Sequence, residues 1–362
     1  MTVRARIDGF DIWRASLLLL GPVVHGAPST VGDRILWMEI LVQFSHLFRM
    51  EAFLAVAGFL MIYLDGPARP GWLTIRLRQL LLPMITIWIL FNIPLTVFLH
   101  MWDGSDINTL DPLHLWFLFD LAAATIFIWL LGRHWLEIEP RKQLSWFACW
   151  LGTAIGARIL LYKLHSGNPF ADILTGLPYY TCFFVAGAVV AANPNLTQRL
   201  RTTRFWWLGL PVLAAGLCLF IAGYSLLIDP DRSEHHFLFR LIYTVIGVIC
   251  ATGMTFTIFS TALRLQHQHP LMGYLNRSAY TVYLTHMTIV VVLAKIFSSL
   301  TINSSLQFII LVPLTLVLCW IFHRHVVERW PIAALLFNGA SLSHGHWLIR
   351  RRDLMMAQLA PR

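Results

Sequence analysis

The sequence predicts an all-α fold, a polytopic membrane helix bundle of about ten transmembrane helices with both termini cytoplasmic. Three observations lead there. Of 362 residues, 57% are hydrophobic and only 12% are charged, against about 25% charged in a soluble domain, and the mean hydropathy is +0.67. Apolar runs near the ~20 residues needed to cross hydrocarbon alternate with short polar breaks. Basic residues crowd into alternate connections, which fixes an orientation.

The runs are expected at 10–27, 39–64, 80–101, 113–131, 144–164, 173–192, 205–228, 237–263, 279–300 and 306–327. With the N-terminus inside, eighteen lysines and arginines fall in cytoplasmic segments and three (Arg34, Lys163, Arg232) in the opposite ones. The net charge of +9 is therefore a topology signal and gives no reason to invoke nucleic acid. Residues 1–338 read as one membrane unit. Residues 339–362 read as a basic cytoplasmic tail whose Arg350-Arg351-Arg352 cluster would meet anionic lipid. The five cysteines all fall inside spans with no paired spacing, which suits small buried side chains better than metal or redox chemistry.

The first run holds Arg14 and His25 with ten residues between them. Eleven steps of ~100° bring both to one helix face, roughly 16 Å apart along the axis. Arg14 also interrupts the apolar core and no small-residue cleavage site follows His25, so the run is expected to be a retained helix. Pro22 should bend it and open a polar notch, and Asp11 is placed to pair with Arg14. Ordinary alternatives are snorkelling for Arg14 and an interfacial hydrogen bond for His25.

The second run carries His46, Arg49 and Glu51 within six residues. On one helix His46 and Arg49 would share a face; a buried Arg–Glu pair is the packing alternative. Arg76 and Arg78, ahead of Pro83, sit at the cytoplasmic mouth of the third run, where guanidinium forks suit phosphate. The fourth opens with His114-Leu-Trp116, and Asp120 follows on the Trp116 face, two turns deep. Arg158 in the fifth and His286 in the ninth add a cation and an imidazole near the outer side. Ionisable groups at such depths are functional by default.

These histidines lack metal-ligand spacing, so no metal is expected. A phosphate-binding glycine loop, a dinucleotide fingerprint and a Gly-x-Ser-x-Gly elbow are also missing. Histidine base chemistry is the economical catalytic reading. A secondary transporter or flippase for an anionic glycan or lipid is the alternative, although no inverted repeat is visible.

In order along the chain, Arg14-x10-His25, the arginines before Pro83, His114-Leu-Trp-Phe-Leu and Tyr283-Leu-Thr-His286 resemble the acyltransferase-3 family of membrane acyltransferases. Further segments, His46-Leu-Phe-Arg-Met, Tyr180-Thr-Cys-Phe-Phe and Arg329-Trp-Pro, resemble its branch that succinylates osmoregulated periplasmic glucans. One departure is Ala57, which stands where the family pattern carries a serine hydroxyl. The resemblance implies a multi-pass protein of the bacterial inner membrane. It would take an acyl group, succinyl in that branch, from cytoplasmic acyl-CoA and deliver it to hydroxyls of a periplasmic glucan. Acyl-CoA would be a substrate, with no resident cofactor. His25 would be the base, with Glu51 or Asp120 orienting it. Arg14, Arg76 and Arg78 would hold the CoA phosphates, and Arg49 or Arg158 the succinyl carboxylate. His46, His114, Trp116 and His286 would complete the substrate-binding set, with His46, Arg49 or Trp116 as oxyanion donors.

Overall fold

The computed structural model describes residues 7–30, 35–64, 66–104, 112–165, 168–224, 237–265, 270–300 and 302–341. The arginine cluster expected in the tail, with Arg34 and Arg232, lies outside them. Among the described residues there is no strand. Eight helices among the described residues are long and apolar enough to cross a membrane, or nine if a pair bent by 77°, Pro194–Thr202 and Trp207–Ala222, counts as one span.

Fifteen α-helices are referred to below. They are α1 (Asp8–Leu19), α2 (Gly21–Thr30), α3 (Leu36–His46), α4 (Arg49–Tyr63), α5 (Trp72–Ile87), α6 (Ile93–Asp103), α7 (Trp116–Leu131), α8 (Gln143–Leu164), α9 (Pro169–Ala192), α10 (Pro194–Thr202), α11 (Trp206–Ala222), α12 (Phe237–Ala262), α13 (Pro270–Ser298), α14 (Ser304–Phe322) and α15 (Pro331–Asn338).

The first three expected spans are interrupted, and the interruptions matter. The first divides at Leu20 into α1 and α2. Pro22 has no amide hydrogen to offer the carbonyl four residues back, so the ladder loosens there. Leu20 itself stays in the right-handed helical region, and bonds from its amide to the Ser16 oxygen and from the Val24 amide to its own oxygen, both 3.2 Å, flank the join. The second span breaks at Leu47 and Phe48, so His46 closes α3 while Arg49 opens α4. The third passes through a π-helical turn, Trp88–Asn92, between α5 and α6, a feature often found where a function needs irregular backbone.

The core forms where small residues let helices touch. A Cβ on Gly58 of α4 would lie 2.0 Å from the carbonyl oxygen of Phe184, and one on Gly187 of α9 would lie 1.8 Å from that of Ala55. Only glycine permits this approach, the usual means of tight packing between membrane helices. Phe10, Phe59 and Phe259, all buried, knit α1, α4 and α12 with ring centroids 4.7–5.4 Å apart. Two polar contacts add to this seam: Trp13 Nε1 donates to Thr261 Oγ1 at 2.9 Å, and Gln43 of α3 bonds the Tyr243 hydroxyl of α12.

Candidate active site

The interrupted helices meet around a cavity of about 280 Å³. Its lining brings together eight residues singled out from sequence: His25, His46, Arg49, Glu51, His114, Trp116, Arg158 and His286. Three imidazoles form its centre. The ring centroids of His25 and His286 are 5.3 Å apart, those of His114 and His286 5.1 Å, and those of His25 and His114 6.4 Å. His46 is an exposed residue of this lining. Among the described residues, no three His, Cys, Asp or Glu side chains are arranged to hold a metal ion.

Backbone carbonyls orient two of the rings. His114 Nε2 lies 3.1 Å from the Leu284 oxygen. His286 Nδ1 lies 2.7 Å from the Tyr283 oxygen and 3.0 Å from that of Val282. A carbonyl can only accept, so those nitrogens carry the protons. In the neutral rings His114 Nδ1 and His286 Nε2 are then acceptors, and neither has a hydrogen-bond partner among the described residues. The His286 ring rests on the α1–α2 break: a Cβ on Gly21 would come within 2.8 Å of its Nε2.

Each wall has a local cause. His114 rides on a short 3₁₀ turn, Leu113–Leu115, entered through Leu113 at φ 51°, a left-handed conformation costly for leucine. That turn is tied from both sides. Asn92 Nδ2 of the π-helical turn donates to the Pro112 oxygen at 3.1 Å, and the Tyr283 hydroxyl donates to the His114 oxygen at 2.6 Å. α9 begins with Asn168 capping the amides of Phe170 and Ala171, with Pro169 at its first position. The α4–α9 crossing then sets Glu51 opposite Tyr179, whose hydroxyl donates to Glu51 Oε1 at 2.9 Å. The Arg158 guanidinium stacks over the same Tyr179 ring, 4.8 Å from its centre, an attraction between cation and ring face. Arg49 is buried, and its Nε has no acceptor among the described residues.

A second cavity, of about 360 Å³, holds other predicted residues, Arg14 and Arg76, and adds Arg69, Trp72, Gln79, Tyr280 and Asn338. Arg14 lies 3.7 Å from Asp11, the pairing expected from their spacing. Tyr283 belongs to the linings of both cavities.

Two predicted residues stand elsewhere. Arg78 is absent from this second lining; its Nε donates to the Gly339 oxygen at 3.2 Å, holding the end of α15 against α5. Asp120 does not line the histidine cavity. It faces a third cavity, because its position on α7 turns it toward α8 and α9. Sequence reasoning also passed over Tyr179, Tyr180 and Tyr283 as site residues. Their signal was present, as tyrosine hydroxyls well inside apolar runs, but tyrosine is common at membrane interfaces.

The Acyltransferase domain family model matches residues 7–324. The chain belongs to the acyltransferase-3 family. It is similar to the glucans biosynthesis protein C of Escherichia coli strain K12, 25% identical over 316 residues that cover 76% of this chain and 80% of that protein. The glucans biosynthesis protein C of Salmonella typhi is likewise 25% identical, over 323 residues, with the same shares covered. No solved structure matches the chain. Family and helices together make this a multi-pass membrane acyltransferase.

Proposed function

We propose that the protein moves an acyl group, succinyl, from cytoplasmic acyl-CoA to hydroxyls of a periplasmic glucan, across the bacterial inner membrane. Both termini, and the segment 339–362, then lie in the cytoplasm. The observation that carries this reading is the pair of cavities that meet at Tyr283. One is lined by arginines and suits the phosphates of a nucleotide-bearing donor; the other is centred on three histidines.

In this reading Arg14 and Arg76 hold the CoA phosphates, and the pantetheine arm passes Tyr283 to bring its thioester beside His25. The His25 imidazole takes the proton of a glucan hydroxyl while that oxygen attacks the thioester carbonyl. Arg49 faces the oxyanion of the tetrahedral intermediate. Collapse breaks the C–S bond, and the proton on His25 passes to the departing CoA sulfur, giving the ester and free CoA. The succinyl carboxylate meets Arg158, held in place by Tyr179. Glu51, bound by the same tyrosine, lies on the same wall and counters the local excess of positive charge. General-base help of this kind is worth about 10²–10⁴-fold.

The test uses purified protein in detergent with labelled succinyl-CoA and a glucan acceptor. CoA release that needs the acceptor, and that falls by at least 10²-fold in His25→Ala with the variant still inserted in membranes, is the expected result. Near-normal acylation by that variant would remove His25 as the base. Absence of any acyl transfer by the parent protein would favour a transporter of anionic glycan or lipid instead.

A further inference from the structure

Asp120 has a site of its own. It is 1% exposed, and neither carboxyl oxygen has a hydrogen-bond partner among the described residues. Leaving such a group unmatched in a membrane protein is costly, and an unmatched buried polar group calls for an explanation. Here Asp120 belongs to the lining of a cavity of about 230 Å³ between the starts of α7 and α9 and the flank of α8. Trp116 and Tyr180 form the wall that this cavity shares with the histidine cavity, their ring centroids 5.0 Å apart. Gly176 keeps another side open. Asp172, 3.0 Å from His165, completes the polar part of the lining.

The chemistry of this lining is selective. Two carboxyl groups and no lysine or arginine disfavour an anion. Aromatic faces beside hydrogen-bond acceptors suit a neutral ring that carries hydroxyl donors around its edge and C–H groups on its face. We infer that this cavity is the acceptor subsite and takes one sugar ring. That ring stacks on Trp116 and Tyr180, donates hydroxyls to Asp120, and turns a further hydroxyl past the shared wall toward His25. The inference rests on the acyl-transfer reading above. It recasts Asp120 as a residue that binds and selects the acceptor and has no role in orienting His25.

Calorimetric titration of the full chain in detergent with cellotetraose, a neutral glucose oligomer, tests this without turnover. Asp120→Leu is nearly isosteric and removes a buried group that has no partner, so its fold is expected to survive. Ile173→Trp fills the same cavity from α9. Both variants should weaken oligosaccharide binding at least tenfold. In turnover with labelled donor, both should raise the ratio of acceptor KM to donor KM by a similar factor. Unchanged affinity in either variant, or no binding to the parent protein, overturns the subsite. The two readings fail differently. A parent protein that binds cellotetraose but never acylates keeps the subsite and defeats the transfer reading. A parent protein that acylates glucan, with variants that retain its acceptor KM, defeats the subsite alone.

Discussion

The histidine cavity and the arginine cavity differ in how their polar groups are brought together. Around the histidines the chain is broken again and again: at Leu20, at Leu47 and Phe48, and in the 3₁₀ turn that carries His114. Around Arg14 and Arg76 long side chains reach into the space from the flanks of α1 and α5, and Gly66 and Arg69 line it from the connection between α4 and α5. Irregular backbone inside a membrane survives only where protein buries it or a cavity is lined by it. The breaks therefore mark the place where short, rigid groups such as imidazoles must converge.

Substitutions should separate the two regions. The largest effect is expected in the histidine cavity. Arg158→Ala should lower succinyl transfer by about a hundredfold while acetyl transfer falls far less, because truncating one partner of a desolvated charge pair typically costs 2–5 kcal/mol. Comparing the two donors checks this, and equal losses would remove Arg158 as the carboxylate partner. An intermediate effect is expected for Arg76→Ala in the arginine cavity. It should raise the donor KM about tenfold, the size of one lost charge-assisted hydrogen bond, and leave acceptor KM as it was. A shift in acceptor KM instead would move the donor away from this cavity. Arg78→Ala should have the smallest effect on catalysis. Its Nε is bonded to the Gly339 carbonyl, so the loss should register as roughly 1 kcal/mol of thermal stability with donor KM within twofold of the parent protein. A donor KM change matching that of Arg76→Ala would return Arg78 to the phosphate site.

The sequence made the bundle legible because hydrocarbon thickness imposes a length on every span, and eight of the expected spans are helices able to cross a membrane. It also made most of the histidine cavity legible. His25, His46, His114 and His286 are all costly residues near the same side of their spans, and that cost is visible in one dimension. What stayed hidden depends on helix rotation and on contacts between distant segments. Asp120 follows Trp116 by four residues and shares its face, yet it turns toward α8 and α9 while Trp116 borders both cavities. The Glu51–Tyr179 bond joins residues 128 apart and depends on the glycine contact between α4 and α9. Arg78 has the same spacing logic as Arg76, and only the fold of the C-terminal segment back onto α5 tells them apart. Arg14 and His25 line different cavities, a separation that their spacing along the chain does not reveal.

Tyr283 borders the two chambers, and its phenol is fastened to the main chain of His114. Moving that ring would break the tether to the strained turn that carries His114. Under the acyl-transfer proposal, passage from one chamber to the other would in this way be tied to the posture of an imidazole.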